Sequence, residues 1–320
     1  MGIMPEISIV IPLYNKGPHI AKTLNSVFNQ TFQDFEIIIV DDGSTDNGVE
    51  VVRGFSDPRI KLFQQKNQGP SAARNRGVEE TSANMVAFLD ADDEWTPAHL
   101  ETILRLRKKY PDAGLYATSY QIYISETDIR TPDYRHIPDS PWEGLLPDYF
   151  KSGALGDAPA NSSVTGIPKR IFLEAGGFPV GYWYGEEHCL LGKIALKYPV
   201  AFSRSVGMIY HTDASNRSGN RLPPTDHEEP FIKIAREAMR EGKVPQEYVE
   251  SLTEYINRKE LTRAEINLMT GNSKVAREIL RRCRTKWYRK RKLRCTLLAL
   301  LPFPLLQYIR QKKKGSSAAS

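Results

Sequence analysis

In the first third of the chain, short unbroken apolar runs alternate with longer segments whose apolar residues recur every three or four positions. EISIVIPLY is β-branched and stops at Pro12 and Asn15. HIAKTLNSVFNQ then lines Ile20, Leu24, Val27 and Phe28 along one helical face. FEIIIVDDGS and DNGVEVVRGF repeat the pair. RIKLFQ leads into GPSAARNRGVEET, a helix opened by Gly69 and Pro70. NMVAFLDADD leads into TPAHLETILRLRKKY, where Thr96 can cap and Pro97 suits the first turn. This alternation predicts a mostly parallel sheet covered by helices on both faces.

From residue 111 to 225 the pattern loosens. DAGLYATSYQIYI reads as a strand, SSVTGIPKRIFLEAGGF as a strand, a short helix and a glycine stop, and GEEHCLLGKIALKY as an amphipathic helix with two acids in its first turn. TPDYRHIPDSPWEGLLPDYF, rich in proline and aromatics, predicts a loop that shapes or covers a pocket. Beyond Pro224 the pattern is helical only. Three parts are expected: an α/β domain over 1–225, a helical extension over 226–284, and a basic, apolar tail over 285–320.

A chain of 320 residues can bury one large core and carry an appendage. Its three cysteines, Cys189, Cys283 and Cys295, follow no metal-ligand spacing and suggest reduced thiols in a cytosolic setting. The start, MGIMPEISIVIPLYN, lacks the features of a secretory signal, so a cytoplasmic location is expected and the sequons at Asn161 and Asn216 carry no meaning. The net charge of +6 is unevenly spread. From Arg281 onward there are 13 Lys and Arg and no acid, which leaves 31 of the 44 basic residues against all 38 acids in the body.

Ligands of such sheets bind at the carboxyl ends of the strands. That rule gathers Tyr14, Asn15, Asp41, Asp42, Asp90 and Asp92 on one rim. Singly, Asp42, Ser44 and Asp46 suit turns and caps, and DADDEW suits a solvated loop. Two strands that deliver acids to one edge are harder to explain this way, because their repulsion must be offset by a cation or by a ligand's donors. A hard divalent ion that keeps several waters and bridges diphosphate oxygens would supply that offset.

The ordered blocks VIPLYNKGPHIAKTLNSVFNQTFQDFEIIIVDDGSTDNG, NQGPSAARNRGV, FLDADDEWTPAHLE, GGF and GEEHCLL resemble the family 2 glycosyltransferases of the GT-A fold, over roughly residues 5 to 212. The resemblance implies a Rossmann-like, mostly parallel α/β sheet of the nucleotide-diphospho-sugar transferase type, followed here by an α-helical C-terminal region. It also implies an inverting, metal-dependent hexosyltransferase of the bacterial cell-surface polysaccharide type, with Mn2+ or Mg2+ as cofactor and a nucleotide sugar, above all a UDP-sugar, as donor. Matching positions put Pro12 and Tyr14 along the nucleotide pocket, Asp41 on the uracil ring nitrogen, and Arg74 and Asn75 at the base and phosphates. In the Asp-x-Asp motif, Asp90 would face ribose and metal and Asp92 would bind the metal directly; the part of Asp93 is not fixed.

In the family the general base is the second acid of a Gly-Glu-Asp motif at a helix start. Gly185, Glu186 and Glu187 occupy those positions here, so Glu187 takes the base's place with an arm one methylene longer. Cys189 stands where relatives often carry another acid. Without the resemblance, both acids would simply complement a helix N-terminus, worth about 0.3–1 kcal/mol. His211 matches a histidine that lies near metal and diphosphate in some relatives, with a structural role as the alternative. The polar residues Ser215, Asn216, Arg217 and Ser218 could close over diphosphate. Trp183, Tyr184 and Glu186 are acceptor candidates, together with Asn161, Ser162 and Ser163. Aromatic rings suit the apolar faces of sugars, and ordinary loop packing is the competing account.

The tail RRCRTKWYRKRKLRCTLLALLPFPLLQYIRQKKK sets a 15-residue apolar block, Cys295 to Ile309, between cationic runs. The block is short of the ~20 residues that span a bilayer, and Pro302 and Pro304 interrupt it. It predicts an in-plane or shallow anchor on the inner membrane surface, with Trp287 and Tyr288 at the interface. A helix packed on the body with a basic end is the alternative. Nucleic acid is not an expected partner, since it would leave the leucines nothing to pack on. The expected acceptor is a saccharide or a lipid-linked saccharide. A nucleotide-sugar-binding protein with weak or no turnover is kept open by Glu187 and Cys189. A nucleotidyltransferase is disfavoured because no Gly-rich, Lys-containing phosphate loop lies near the N-terminus.

Overall fold

The computed structural model describes residues 4–182, 184–212 and 228–307. The chain forms two compact units, one of residues 1–220 with 229–235, the other of 221–228 with 236–320. In the first unit β1 (Ile7–Leu13), α1 (Gly17–Phe28), β2 (Phe35–Asp41), α2 (Gly48–Arg53), β3 (Ile60–Gln64), α3 (Pro70–Glu79) and β4 (Met85–Phe88) follow one another as the apolar pattern predicts. The four strands are parallel and lie in the order β3-β2-β1-β4.

Side chains on a strand alternate between the two faces, and that alternation divides the core. Ile7, Ile9, Ile11 and Leu13 join Ile20, Leu24 and Val27 of α1 and Val49 and Val52 of α2 in one cluster. Val10 meets α3 instead, so closely that a Cβ on Gly77 would stand 2.3 Å from Val10 Cγ1. Covered on both faces, β1 and β2 read as unbroken apolar runs rather than as alternating ones.

Past β4 the sheet becomes mixed. The unit continues through β5 (Glu94–Trp95), α4 (His99–Lys109), β6 (Leu115–Ser125), β7 (Asp128–Arg130), β8 (Glu143–Leu145), α5 (Tyr149–Leu155), β9 (Thr165–Pro168), α6 (Lys169–Glu174), α7 (Glu186–Ala195) and β10 (Val200–His211). β9 runs antiparallel between β4 and β6, and β10 lies parallel beside β6. The stretch 131–150, predicted as a loop, contains β8 and the start of α5. Asp148 caps α5 by accepting the Lys151 N–H at 2.8 Å. The apolar pattern reveals only the end of β10, because polar residues interrupt it where its register shifts between Ser203 and Val206.

α8 (Pro230–Arg240) leads to the second unit, where α9 (Gln246–Met269), α10 (Ser273–Arg282) and α11 (Arg289–Leu298) pack together. Leu261, Ala264, Leu280, Cys283, Cys295 and Ala299 share its core, so that core draws on both sides of residue 284. Glu254 fixes the connection between α10 and α11 by accepting from Thr285 Oγ1 and from the Lys286 N–H, both at 2.5 Å. No helix among the described residues is long and apolar enough to cross a membrane.

Candidate active site

The carboxyl ends of β1, β2 and β4 share one rim because the strands are parallel neighbours. After β1, Asn15 takes a left-handed φ of 52° and its side-chain carbonyl accepts the Thr45 N–H at 2.8 Å, tying the turn after β1 to the one after β2. Exposed Tyr14 and part-buried Pro12 precede it on that rim. Asp41 accepts the Ser44 N–H at 3.0 Å. Asp42 accepts the N–H groups of Gln68 and Gly69 at 2.9 and 2.8 Å, which sets the start of α3.

Arg74 is buried in α3, and its Nη2 donates to Asp90 Oδ1 at 2.6 Å. The same guanidinium lies 3.7 Å from Glu187 and 3.8 Å from Glu186 at the start of α7, and 5.2 Å from the Phe178 ring centre. Burial works against its charge, but Asp90, Glu187 and Glu186 more than offset that and push the guanidinium further toward the protonated form. Glu187, the more exposed of the two α7 acids, accepts from Ser162 Oγ at 2.6 Å. Burial, then the neighbouring Glu187 charge, push the Glu186 carboxyl up to about 7.

The stretch LDADDEW sorts its acids by environment. Lys16 Nζ lies 2.6 Å from Asp92 Oδ2, with the two side chains only 12 and 13% exposed. Asp93 is buried, and its Oδ1 has no hydrogen-bond partner among the described residues. Burial, then the charges of Asp90 and Asp92, push its carboxyl well above the usual range, toward the neutral form. Glu94 Oε2 sits 2.8 Å from Lys22 Nζ and 3.1 Å from His211 Nε2. Burial opposes its charge, yet Lys22 and His211 hold the Glu94 carboxyl below its usual range.

Asp90, Arg74, Glu186 and Glu187 thus come together, and Asp92, two residues beyond Asp90, is held by Lys16. The predicted metal set of Asp90, Asp92 and His211 is not assembled. Among the described residues no group of three His, Cys, Asp or Glu is arranged to hold a metal ion, and His211 is engaged with Glu94 and Lys22. Asn75 uses its amide on the backbone of Phe178, donating and accepting at 2.9 Å, and so fixes the loop after α6. Ser162 and Ser163 turn to Glu187 and to the Asp90 N–H rather than to open solvent. Cys189 is buried in the core. Tyr184 is part-buried immediately before Gly185, whose φ of 77° turns the chain into α7. Trp183 and the stretch containing Ser215, Asn216, Arg217 and Ser218 lie outside the described residues. Lys16 is the charged residue that sequence reasoning missed. Its signal was available as the only cation in the turn after the first strand.

The mixed α/β sheet in this strand order, with helices flanking it, is of the GT-A type. Residues 8–162 match the sequence profile of Glycosyl transferase family 2, and through them the chain resembles that family. Its fold is similar to that of S. aureus TarS 1-349 in complex with UDP-GlcNAc, with a TM-score of 0.68 and 18% identity over 87% of this chain and 82% of that one. It is also similar to the mannosyltransferase PcManGT from Pyrobaculum calidifontis in complex with GDP-Man and Mn2+, with a TM-score of 0.61 and 17% identity over 88% of this chain and 75% of that one. In sequence it is 39% identical over 106 residues to the GalNAc(5)-diNAcBac-PP-undecaprenol beta-1,3-glucosyltransferase of Campylobacter jejuni, a match that covers 32% of this chain and 34% of that protein. Curated relatives such as these are matched over 15 to 37% of their own length.

Proposed function

We propose that the chain is an inverting glycosyltransferase that moves a sugar from a nucleotide sugar, foremost a UDP-sugar, to a saccharide or lipid-linked saccharide during cell-surface glycan synthesis. The observation that carries this reading is the Arg74 bridge, which joins Asp90 on the rim to Glu186 and Glu187 on α7. The UDP-GlcNAc held by TarS and the lipid-linked substrate in the name of the Campylobacter relative support the choice of donor and acceptor. A lipid-linked acceptor also implies that the chain works at the inner membrane surface, from the cytoplasmic side.

Glu187 is the general base in this proposal. Its carboxylate takes the proton of the acceptor hydroxyl as that oxygen bonds to the anomeric carbon, and the bond from that carbon to the diphosphate breaks with its electron pair on the leaving group. Ser162 Oγ steadies the longer glutamate arm by donating to it at 2.6 Å, and Arg74 Nη2 lies 3.7 Å from the same carboxylate. Tyr14, Pro12 and Asp41 line the nucleotide side, and Tyr184 and Glu186 lie near the acceptor.

The donor set suits a hard divalent ion. Two carboxylates, Asp90 and Asp92, stand two residues apart, each matched by an internal cation, with a third acid, Asp93, buried beside them. Asp90 and Asp92 would hold Mn2+ or Mg2+, which when bound stabilises charge on a leaving diphosphate. Lys16 must then release Asp92. Lys16→Met is therefore expected to tighten Mn2+ binding about tenfold in the absence of nucleotide, read by electron paramagnetic resonance. Unchanged affinity would show that Lys16 does not compete for Asp92.

The proposal as a whole is tested by incubating the protein and Mn2+ with a panel of UDP- and GDP-sugars and measuring released nucleoside diphosphate. Release from one donor, increased by a saccharide acceptor, is the expected result. Nucleotide binding by calorimetry with no release from any donor would replace the transferase reading with that of a binding protein.

A further inference from the structure

α11 presents two different faces. Cys295, Leu298 and Ala299 pack into the core of the second unit. Leu293 and Leu297 are spaced by four residues on α11, Leu300 follows three residues on in the turn that closes the helix, its N–H donating to the Leu297 carbonyl, and the three are 61, 57 and 70% exposed. Leu305, seven residues past the end of α11, is exposed as well. Beside the stripe stand the exposed cations Arg289, Lys290 and Arg294. Arg294 is matched by Glu265 at 2.8 Å. No acid follows Arg281 in the sequence.

This arrangement divides the apolar block that the sequence marks as an anchor. Cys295, Leu298, Ala299 and Leu306 serve the unit's own packing, whereas Leu293, which precedes the block, belongs to the outward stripe. The two readings of the tail, packed helix and membrane anchor, thus apply to opposite faces of one helix.

We infer that the Leu293–Leu297–Leu300 stripe is a docking surface for an anionic lipid bilayer, on which α11 lies in the plane of the interface. The leucines enter the boundary between headgroups and acyl chains, and Arg289 and Lys290 meet the anionic headgroups. A second copy of the chain would bring cations against cations at the same stripe. Nucleic acid would satisfy the cations and leave the leucines in contact with phosphate. An anionic membrane offers each group a favourable partner. The inference goes beyond the transferase reading and stands on different residues.

The test uses the full chain with vesicles of phosphatidylcholine alone and vesicles that also contain phosphatidylglycerol. The parent protein is expected to float with the anionic vesicles and much less with the neutral ones. The triple variant L293S/L297S/L300S is expected to lose on the order of a hundredfold in partitioning. The double variant R289Q/K290Q is expected to lose on the order of tenfold, and added salt should reproduce that loss. All five positions are exposed, so unchanged circular dichroism and unchanged nucleotide binding by calorimetry are expected for both variants. Equal flotation of the triple serine variant and the parent would overturn the inference. So would failure of the parent to float with either vesicle, or a dimer in sedimentation velocity that the serine substitutions abolish without any change in flotation. Nucleotide binding in the same samples separates each of these outcomes from failure of the transferase reading.

Discussion

Glu187→Gln is expected to lower turnover by about 10²–10⁴-fold while nucleotide-sugar binding stays nearly unchanged. Glutamine keeps the length and shape of the side chain, and its carbonyl oxygen can still accept from Ser162 Oγ, which lies 2.6 Å from the carboxylate in the parent. What it cannot do is take a proton from the acceptor hydroxyl. The loss should therefore fall on kcat, because the interaction removed is made as the hydroxyl is attacking. Single-turnover release of nucleoside diphosphate, paired with calorimetry for the donor, separates the two quantities. Retained turnover would move the base elsewhere on the rim. Equal loss of binding and turnover would mean that Glu187 holds the donor.

Arg74→Met should be the most destabilising single change at the site, by about 3–5 kcal/mol at neutral pH. The guanidinium is buried between Asp90, Glu187 and Glu186, and methionine of similar length would leave three carboxylates with no internal counter-charge. The sign of the pH dependence follows from the carboxyls. Glu186 is already pushed up to about 7 with Arg74 in place, and removing that cation raises it further. A carboxyl whose folded pKa exceeds its unfolded value contributes stability below the unfolded pKa and loses it as pH rises through the folded one. The deficit of Arg74→Met in urea unfolding should accordingly grow between about pH 5 and about pH 8. A deficit that is the same at both would mean that lost packing against Phe178, not lost charge, is responsible. Arg74→Lys keeps the charge without the fork and should recover part of the stability.

These residues show how far the sequence alone carries. The strand and helix pairs up to α4 are legible because sheet strands covered on both faces need continuous apolar runs and their helices need one apolar stripe. The rim acids are legible because they close those runs. The partners of the acids are not. Lys16 meets Asp92 across 76 positions, and Asn75 meets Phe178 across 103. Nothing in local pattern marks an asparagine that spends its amide on a distant backbone, and Asn75 looks the same in sequence whether it faces a nucleotide or a loop. The direction of β9 is hidden for a similar reason, since four residues fit a parallel or an antiparallel neighbour equally well. On α11 the leucine content is visible in sequence, but which leucines face outward depends on how the helix settles against α9 and α10.

β9 also constrains the order of events when the protein is made. It lies between β4 and β6 and pairs with both, so until residue 168 has emerged from the ribosome β4 keeps an open edge along Met85, Val86 and Ala87. That edge is short but wholly apolar, with backbone donors and acceptors ready to pair with another chain. The nascent N-terminal half is thus most prone to aggregation in the interval before β9 inserts. A chain truncated between α4 and β9 would stay in that state permanently.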